Sequence, residues 1–530
     1  MKKVWKLGFG LMALLMLAGC GNSTQTANTT EAETEAGGKI SIVVEAEEFA
    51  AKAESLKQAM ASWTDDEVEV VNTKDGAGSC IVISAVGSGE LGGVREKDYA
   101  IVFNEGEVII EGGTKENAEK AVDKLISDYL PAWTDETLFS GEPEDLWYGG
   151  LSYRIRYMEI QGEKLWDYVI VKGDNEEAAE KLQQLIETAS TYVLPVISAS
   201  ELTEGTPAFI FGSSDAREAA SYSDLDAGEC WIAVDGSDVY FSAGEAEDEV
   251  IAMKMFIAKY LDYDYYSGIA TNSTLIIEED FSMKFDVDFD GTEGWQTVIS
   301  RVAKVEQQGN WAVQQGACSD GTYAYYILSN QYSSTQSGKI VKFDLSDWSV
   351  VAVSDQLATD HSNDLTYNSK TNKIIAVHNK PNYTVLSIID PDTLTIDYDV
   401  DVGVGLYSVA YSEELDQYIC GQSGTHSTFA ILDSDFKLIK MSYGTHSTLY
   451  TNQGNYADAN YVYSFRSGSQ NNIPNNYIFV NDWDGNIVAE ILVDFATEAE
   501  NIFRVGNMWY TGYYSSGGIV YETIMYKVIE

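Results

Sequence analysis

Basic residues are scarce: 33 Lys plus Arg stand against 83 Asp plus Glu in 530 residues, a formal net charge of -50. A chain this acidic repels phosphate backbones and anionic headgroups, which excludes nucleic acid and membrane binding through a basic folded surface. Cysteine is also scarce. Beyond Cys20, only Cys80, Cys230, Cys318 and Cys420 remain, far apart and without CxxC or zinc-type spacing, so no disulfide framework or structural zinc is expected. Each of the four sits in or beside an apolar run, the usual place of a small buried hydrophobe. No GxSxG elbow, HExxH helix or Walker loop occurs, so serine hydrolase, zinc protease and nucleotidase readings lack their supports. After the first twenty residues no run of about 18 apolar residues offers a membrane span. What is present is a chain with 45% hydrophobic residues, 12% aromatics and only 7 Pro, which buries a sizeable core and is no disordered acidic polymer. Its length predicts two to four domains at about 100 to 200 residues each.

Lys2, Lys3 and Lys6 precede the apolar stretch LGFGLMALLMLAG, too short to span at about 20 residues, which predicts a signal peptide over residues 1–19. Its end, Leu17-Ala18-Gly19-Cys20, resembles the bacterial lipobox. That resemblance implies that Cys20 is acylated and becomes the first residue of the mature protein. A plain signal peptide cut at small residues is the alternative. Residues 20–38 are small, polar and acidic with no apolar period, so they read as a flexible tether. Lipobox, acidity and tether together predict a lipid-anchored protein on the extracellular face of a bacterial cytoplasmic membrane, of the Gram-positive kind.

Residues 39–131 read as an α/β layer domain: strand ISIVV, a helix over EFAAKAESLKQAMASW, strands VEVVN and CIVISAV, hairpin YAIVFNEGEVIIEGG, and a helix over KENAEKAVDKLISDYL. The hairpin turns at Asn104-Glu105-Gly106. The pattern returns 131 positions later: Ile101 falls on Ile232, Val108 on Val239, Gly113 on Gly244, and Ile126, Tyr129 and Leu130 on Ile257, Tyr260 and Leu261. This predicts an internal duplication, with a linker over 132–151 and a second α/β domain over 152–285 that adds strand DYVIVKG, a helix from Asn175 to Ala189 and strand AFIFGS. The unit resembles the non-catalytic α/β domain preceding the barrel in family 20 hexosaminidases and related glycosidases. No barrel follows here, so the resemblance implies an accessory role. A formal GxGxxG at Gly87 to Gly92 leads into GVREKDYA and a further strand. Dinucleotide binding needs a helix to start there, so this is read as a loop.

Over residues 286–530 short strands recur with turns SDG, SKTNK, DPDT, DSDF and DWDG. Inner-strand candidates GTYAYYIL, NKIIAVHN, DQYICGQS, NYVYSFRS and MWYTGYYS follow one another by about 45 residues, and four blocks carry a second, Asp-turned signature. A period near 45 predicts an all-β propeller of five blades. Closure is expected from pairing Thr297–Val305 with Gly518–Val528. The segment resembles bacterial propellers of the NHL and YVTN type, which host binding proteins, lyases, lactonases and glycosidases alike.

In a propeller, residues at the entry to each innermost strand line one mouth of the channel. That logic gathers Gln315, His361, Asn363, Asp364, Tyr407, Gln453, Glu500 and Asn501. Asp364 and Glu500, with His361, are the candidate catalytic groups, an acid/base pair of the glycosidase kind at a separation of about 5 to 9 Å. Gln315, Asn363, Tyr407, Gln453 and Asn501 are candidate ligand-binding residues, and plain channel lining is the competing reading. His361, His378, His426 and His446 show no paired HxH or HxxxH spacing and are read as turn or strand-end residues. Asp286, Asp288 and Asp290 before Gly291 open a DxDxDG calcium pattern, but its twelfth position is Thr297 rather than an acid. A strand with its aspartates outward explains the same letters. No cofactor is expected beyond that possible Ca2+. The function expected is a non-catalytic binding or scaffold protein for glycan or cell-wall polymer, since the 34 Tyr and 11 Trp suit stacking on sugars. The alternative is a glycan hydrolase or lyase of the propeller funnel.

Overall fold

The computed structural model of the chain describes residues 38–529 apart from 75–77, 87, 90, 142–145, 149–152, 174–175, 213–224, 261–272, 331–332, 423–427, 445–448 and 470–471. The signal-peptide and tether readings, Cys20, His426 and His446, and part of the glycine-rich loop therefore lie outside the described residues. The architecture is mostly β and is built from several sheets. Among the described residues no helix is long and apolar enough to cross a membrane.

The apolar runs of the amino-terminal part form β1 (Lys39–Val44), β2 (Glu67–Val71), β3 (Ser79–Ile83), β4 (Tyr99–Asn104), β5 (Glu107–Gly112) and β6 (Leu146–Tyr148), in the order β2-β1-β3-β5-β4-β6. The hairpin between β4 and β5 turns at Gly106, whose φ of 76° is the left-handed geometry glycine adopts without penalty. Helix α1 (Ala50–Met60) buries Ala53, Leu56 and Met60 against this sheet. Helix α2 (Lys115–Lys124) buries Ala118, Ala121 and Val122, and the Thr114 hydroxyl caps its start by accepting from Asn117 N at 3.2 Å. A π-turn over Leu125–Tyr129 ends it. The segment expected as a linker over 132–151 contains the short helix α3 (Asp135–Leu138) and edge strand β6, which pairs with β4. Three residues are too few for alternation to register, which is why the strand escaped the sequence pattern.

The second unit uses β7 (Ile155–Ile160), β8 (Glu163–Lys164), β9 (Val169–Val171), helix α4 (Glu176–Ser190), β10 (Val196–Ile197), β11 (Ala208–Phe211), β12 (Glu229–Asp235), β13 (Asp238–Ala243), helix α5 (Glu249–Tyr260), β14 (Ser273–Ile277) and β15 (Phe281–Asp286). Its main sheet runs β10-β9-β11-β13-β12-β15, the same succession of parallel and antiparallel pairings as the first. The two glycines 131 apart have the same surroundings: a Cβ on Gly113 would lie 1.9 Å from Arg95 O, and one on Gly244 would lie 1.9 Å from Asp226 O. Strands β14, β7 and β8 form a separate small sheet. Arg95 joins the units, its guanidinium paired with Asp98, donating to Ile155 O and Ser190 O at 2.9 and 2.8 Å, and lying 3.8 Å over the Tyr153 ring.

The named elements that follow among the described residues are strands. They are β16 (Gln296–Val305), β17 (Val313–Ser319), β18 (Tyr323–Ser329), β19 (Gly338–Asp344), β20 (Val350–Val353), β21 (Asp364–Asn368), β22 (Lys373–Val377), β23 (Val385–Asp390), β24 (Thr395–Asp401), β25 (Ala410–Ser412), β26 (Gln417–Gly421), β27 (Thr428–Asp433), β28 (Leu438–Tyr443), β29 (Thr451–Ala457), β30 (Tyr461–Ser467), β31 (Asn476–Asp482), β32 (Ile487–Val493), β33 (Ala499–Val505), β34 (Met508–Ser515) and β35 (Gly517–Ile529). Four successive antiparallel groups, β17 to β20, β21 to β24, β25 to β28 and β29 to β32, are followed by β33, β34 and β35, and β16 completes this last group. Its register runs from Gln296 opposite Tyr526 to Val305 opposite Gly518. The far end of β35 also pairs with β15, so the second α/β sheet continues into this half.

The turns joining third to fourth strands share one device. Asp344, Asp390, Asp433 and Asp482 each accept the backbone N–H two residues on, at 2.9, 3.1, 3.0 and 2.9 Å, an Asx turn that fixes the reversal. The five expected inner strands prove to be β18, β22, β26, β30 and β34, second in their groups. The strands ahead of them, β17, β21, β25, β29 and β33, are the ones that meet. These carry Gln, Asp, Asn and Glu where the groups converge, so they lack the apolar run that marks a strand.

Candidate functional site

The five leading strands touch in succession. Gly316 of β17 abuts Asp364 of β21, with a Cβ there only 2.3 Å from the Asp364 Cα. Tyr411 N of β25 donates to Thr366 Oγ1 of β21 at 3.1 Å, and Asn455 Nδ2 of β29 donates to Ser408 Oγ just ahead of β25 at 2.7 Å. Gly454 of β29 abuts Asn501 of β33, and Asn501 Nδ2 donates to Gln315 O of β17 at 2.5 Å. The succession ends on the strand where it began.

Seven of the sequence-derived residues, Gln315, Asn363, Asp364, Tyr407, Gln453, Glu500 and Asn501, lie along this convergence, whereas His361 contacts Gln336 and Lys380 instead. At four of five leading strands the register carries an extra residue just there: between Gln314 and Ala317, Asn452 and Gly454, and Ala499 and Asn501, with Tyr407 N and Ser408 N both approaching Gly421 O. The bulges hold Gln315, Tyr407, Gln453 and Glu500, and a bulge re-aims the side chain it carries. Asn363 Nδ2 donates to Tyr407 O at 2.8 Å, Tyr407 Oη to Gln453 Oε1 at 3.3 Å, and Gln453 Nε2 to Glu498 Oε1 at 3.1 Å. Gln315 Nε2 donates to Glu500 Oε2 at 3.3 Å. Gln315, Asn363, Asp364, Gln453, Glu500 and Asn501 are buried, whereas Tyr407, His361 and Glu498 keep partial exposure. Glu498 was not among the sequence candidates. Its position two residues ahead of Glu500, on the same side of an extended chain, is the signal that finds it.

Asp364 holds three groups together. Its carboxylate accepts from Leu365 N and Val409 N, both at 2.9 Å, and from Asn455 N at 3.3 Å. Burial pushes its pKa well above the usual carboxylate range, against those three donors. Chemically it is a cross-tie, with both oxygens already engaged. Burial likewise pushes Glu500 well above the usual range, reinforced by the nearby charge of Glu498. His361 is pushed down to about 4, first by burial and then by Lys380, and its Nδ1 lies 3.3 Å from Gln336 Oε1.

His378, at the end of β22, lies in a different chain of polar groups. Its Nδ1 is 2.8 Å from Asp360 Oδ2, its Nε2 is 2.7 Å from Ser387 Oγ, and that hydroxyl donates to Asp399 Oδ1 at 2.7 Å. The atom types match a nucleophilic triad, but Ser387 is fully buried and its proton is committed to Asp399, so a substrate has no approach. Asp286, Asp288 and Asp290 do not converge. Among the described residues no group of three or more His, Cys, Asp or Glu is arranged to hold a metal ion. Asp286 Oδ1 accepts from Asp288 N at 2.9 Å, Asp288 faces Arg504 at 3.6 Å, and Asp290 takes Thr292 N and Lys527 Nζ at 2.9 Å each. Burial works to raise Asp290, but the hydrogen bonds from Thr292, Lys527 and Trp295 hold it well below the usual range.

No family model matches the chain, and no curated protein sequence does. Among solved structures, a chain of the hydrazine synthase of Kuenenia stuttgartiensis is similar at a TM-score of 0.26 and 11% identity, covering 38% of this chain and 55% of that one. The match thus spans about half of that chain's length, and at this TM-score it carries no argument about fold or function.

Proposed function

We propose that the chain is a non-catalytic binding or scaffold lipoprotein, anchored through Cys20 on the extracellular face of a bacterial membrane, that presents its α/β units and a five-bladed propeller to glycan or cell-wall polymer. The propeller reading rests on the succession of leading-strand contacts and on the pairing of β16 with β35. The observation that carries the functional reading is the engagement of the convergent polar groups with one another: Asp364 is a three-way cross-tie, and the amides of Asn363, Gln453 and Gln315 bind neighbouring strands. That arrangement leaves Tyr407 and Glu498, joined through Gln453, partly exposed. A tyrosine face with amides and a carboxylate around it suits a sugar ring and its hydroxyls.

One observation favours a second reading. Burial raises the pKa of Glu500, which lies beside the partly exposed Glu498, and a pair of carboxyls is what glycoside cleavage uses. Incubation of the full chain with purified cell wall and a glycan panel, scored for both retention and released fragments, separates the two. Retention without release is expected. Release that disappears in Glu500→Gln supports the enzyme instead, and neither retention nor release contradicts both.

A further inference from the structure

One cation of this acidic molecule lies fully inside it. Arg466 is buried on β30, opposite Asn452 of β29 and Tyr477 of β31, and directly paired residues of an antiparallel ladder share a face. Ser464 comes next on that face, opposite Asn455 and Phe479. The face turns toward the preceding group of strands: Asn452 Nδ2 and Asn455 Nδ2 both donate to Ser408 Oγ, at 3.1 and 2.7 Å, and a Cβ on Gly421 of β26 would lie 2.7 Å from Asn452 Nδ2. Arg466 therefore stands on the side of the β29 to β32 sheet that meets the β25 to β28 sheet.

Its guanidinium is unmet there. Nε, Nη1 and Nη2 of Arg466 are all buried, and none has a hydrogen-bond partner among the described residues. The guanidinium carbon lies 4.9 Å from the centre of the Phe479 ring, a contact that attracts the cation but satisfies no N–H. Tyr450 extends that aromatic wall, 5.0 Å from the Tyr477 ring and 5.8 Å from the Phe479 ring. Among the described residues Glu490 of β32 is the acid whose charge reaches Arg466, but it is exposed and makes no ion pair with it. Burial, the larger cause, pushes the pKa of Arg466 down to about 9, which still leaves it charged at neutral pH. A buried charge is stable only when paired and hydrogen-bonded. Ser464 Oγ, on the same face, is likewise buried and unpaired and has a proton to donate. Asn452 Oδ1 and Asn455 Oδ1 are buried acceptors with no donor, the surroundings a buried water takes up. Water alone would meet these hydrogen bonds and leave the charge. One cation calls for one negative charge, and side chains this enclosed admit an ion of about the size of a water rather than an organic ligand.

We propose that the interface between these two sheets binds one halide ion with an accompanying water, the ion on the Arg466 guanidinium and the Ser464 hydroxyl, the water on the amide oxygens of Asn452 and Asn455. The site does not depend on whether the neighbouring Tyr407 and Gln453 bind glycan. The test is thermal unfolding of the full chain at constant ionic strength, with sodium methanesulfonate, whose anion is too large to share the site, replaced stepwise by sodium chloride. A ligand that binds only the folded state raises the melting temperature as its concentration passes its Kd, and a rise of about 2 °C or more is expected at about 100 times that Kd. Crystals soaked in bromide are expected to show an anomalous peak at the Arg466 guanidinium. Arg466→Met is expected to melt at or above the wild type in methanesulfonate, because it removes an uncompensated buried charge, and to gain nothing from chloride. Ser464→Ala keeps the charge and is expected to move the chloride midpoint up about fivefold, the loss of one hydrogen bond. Should Arg466→Met fail to fold, Ser464→Ala and the bromide peak still decide. Wild-type melting that ignores chloride, the same chloride response in Arg466→Met, an unmoved midpoint in Ser464→Ala, or no bromide at the guanidinium overturns the proposal.

Discussion

Glu500 makes the sharpest statement at the scale of single residues. Its pKa is raised by burial in the folded state, so below the ordinary carboxyl value of about 4.3 both states hold the proton and nothing is lost. Above that value the unfolded chain releases the proton while the folded one keeps it, and stability falls as pH rises toward the folded value. Glu500→Gln is expected to match the wild type near pH 4 and to exceed it at pH 8, as read by urea unfolding across pH; parallel pH profiles would contradict this. His361 has the opposite sign. With its folded pKa lowered to about 4, its contribution is complete above the unfolded value of about 6.5 and is lost as pH falls toward 4. Its ring protons are expected to show no titration between pH 7 and 5 by NMR, and an ordinary midpoint near 6.5 would contradict the burial argument. Asp364→Ala orphans three backbone donors, in β21, just ahead of β25 and in β29, at about 1 to 3 kcal/mol each. A loss of about 3 kcal/mol or more is expected in the unfolding of the carboxy-terminal half, with Asp364→Asn costing less.

Elements show which parts of the fold were legible. The Asp turns read directly from sequence because Asp344, Asp390, Asp433 and Asp482 act within two residues of themselves. The β16 to β35 pairing was legible because a ring of repeated sheets can close only by joining its first strand to its last. The bulges at Gln315, Gln453 and Glu500 were not, since one extra residue on one side of a ladder leaves no periodic trace. For the same reason the eight mouth residues could be placed at strand entries, while the engagement of Asp364 with Val409 N and Asn455 N could not: those donors lie 45 and 91 residues away. Gly113 and Gly244 carry the duplication into three dimensions, each with a carbonyl oxygen where a Cβ would go. Gly113→Ala and Gly244→Ala are each expected to lower stability by about 2 kcal/mol or more through backbone displacement, measured by thermal unfolding. A neutral effect at either site would separate the two units.

The whole molecule is bound together by strands far apart in sequence. One hydrophobic core runs from Ile155 and Phe256 of the second α/β unit to Tyr326, Phe503 and Ile524 of the carboxy-terminal half, and β35 pairs with β15, β16 and β34 at once. Removal of β35 is therefore expected to unfold the carboxy-terminal half and to expose the second α/β sheet together, whereas independent domains would lose only one. The site reading depends on the same strand, because the leading strands converge on one another only if the first and last groups are neighbours. Amide hydrogen exchange of the intact chain measures this most directly. If the ring is closed, peptides from residues 296–305 and 518–529 exchange as slowly as those from the interior strands 323–329 and 461–467. Fast exchange of both terminal strands beside slow interior ones would contradict closure and, with it, the shared site of Tyr407, Gln453 and Glu498.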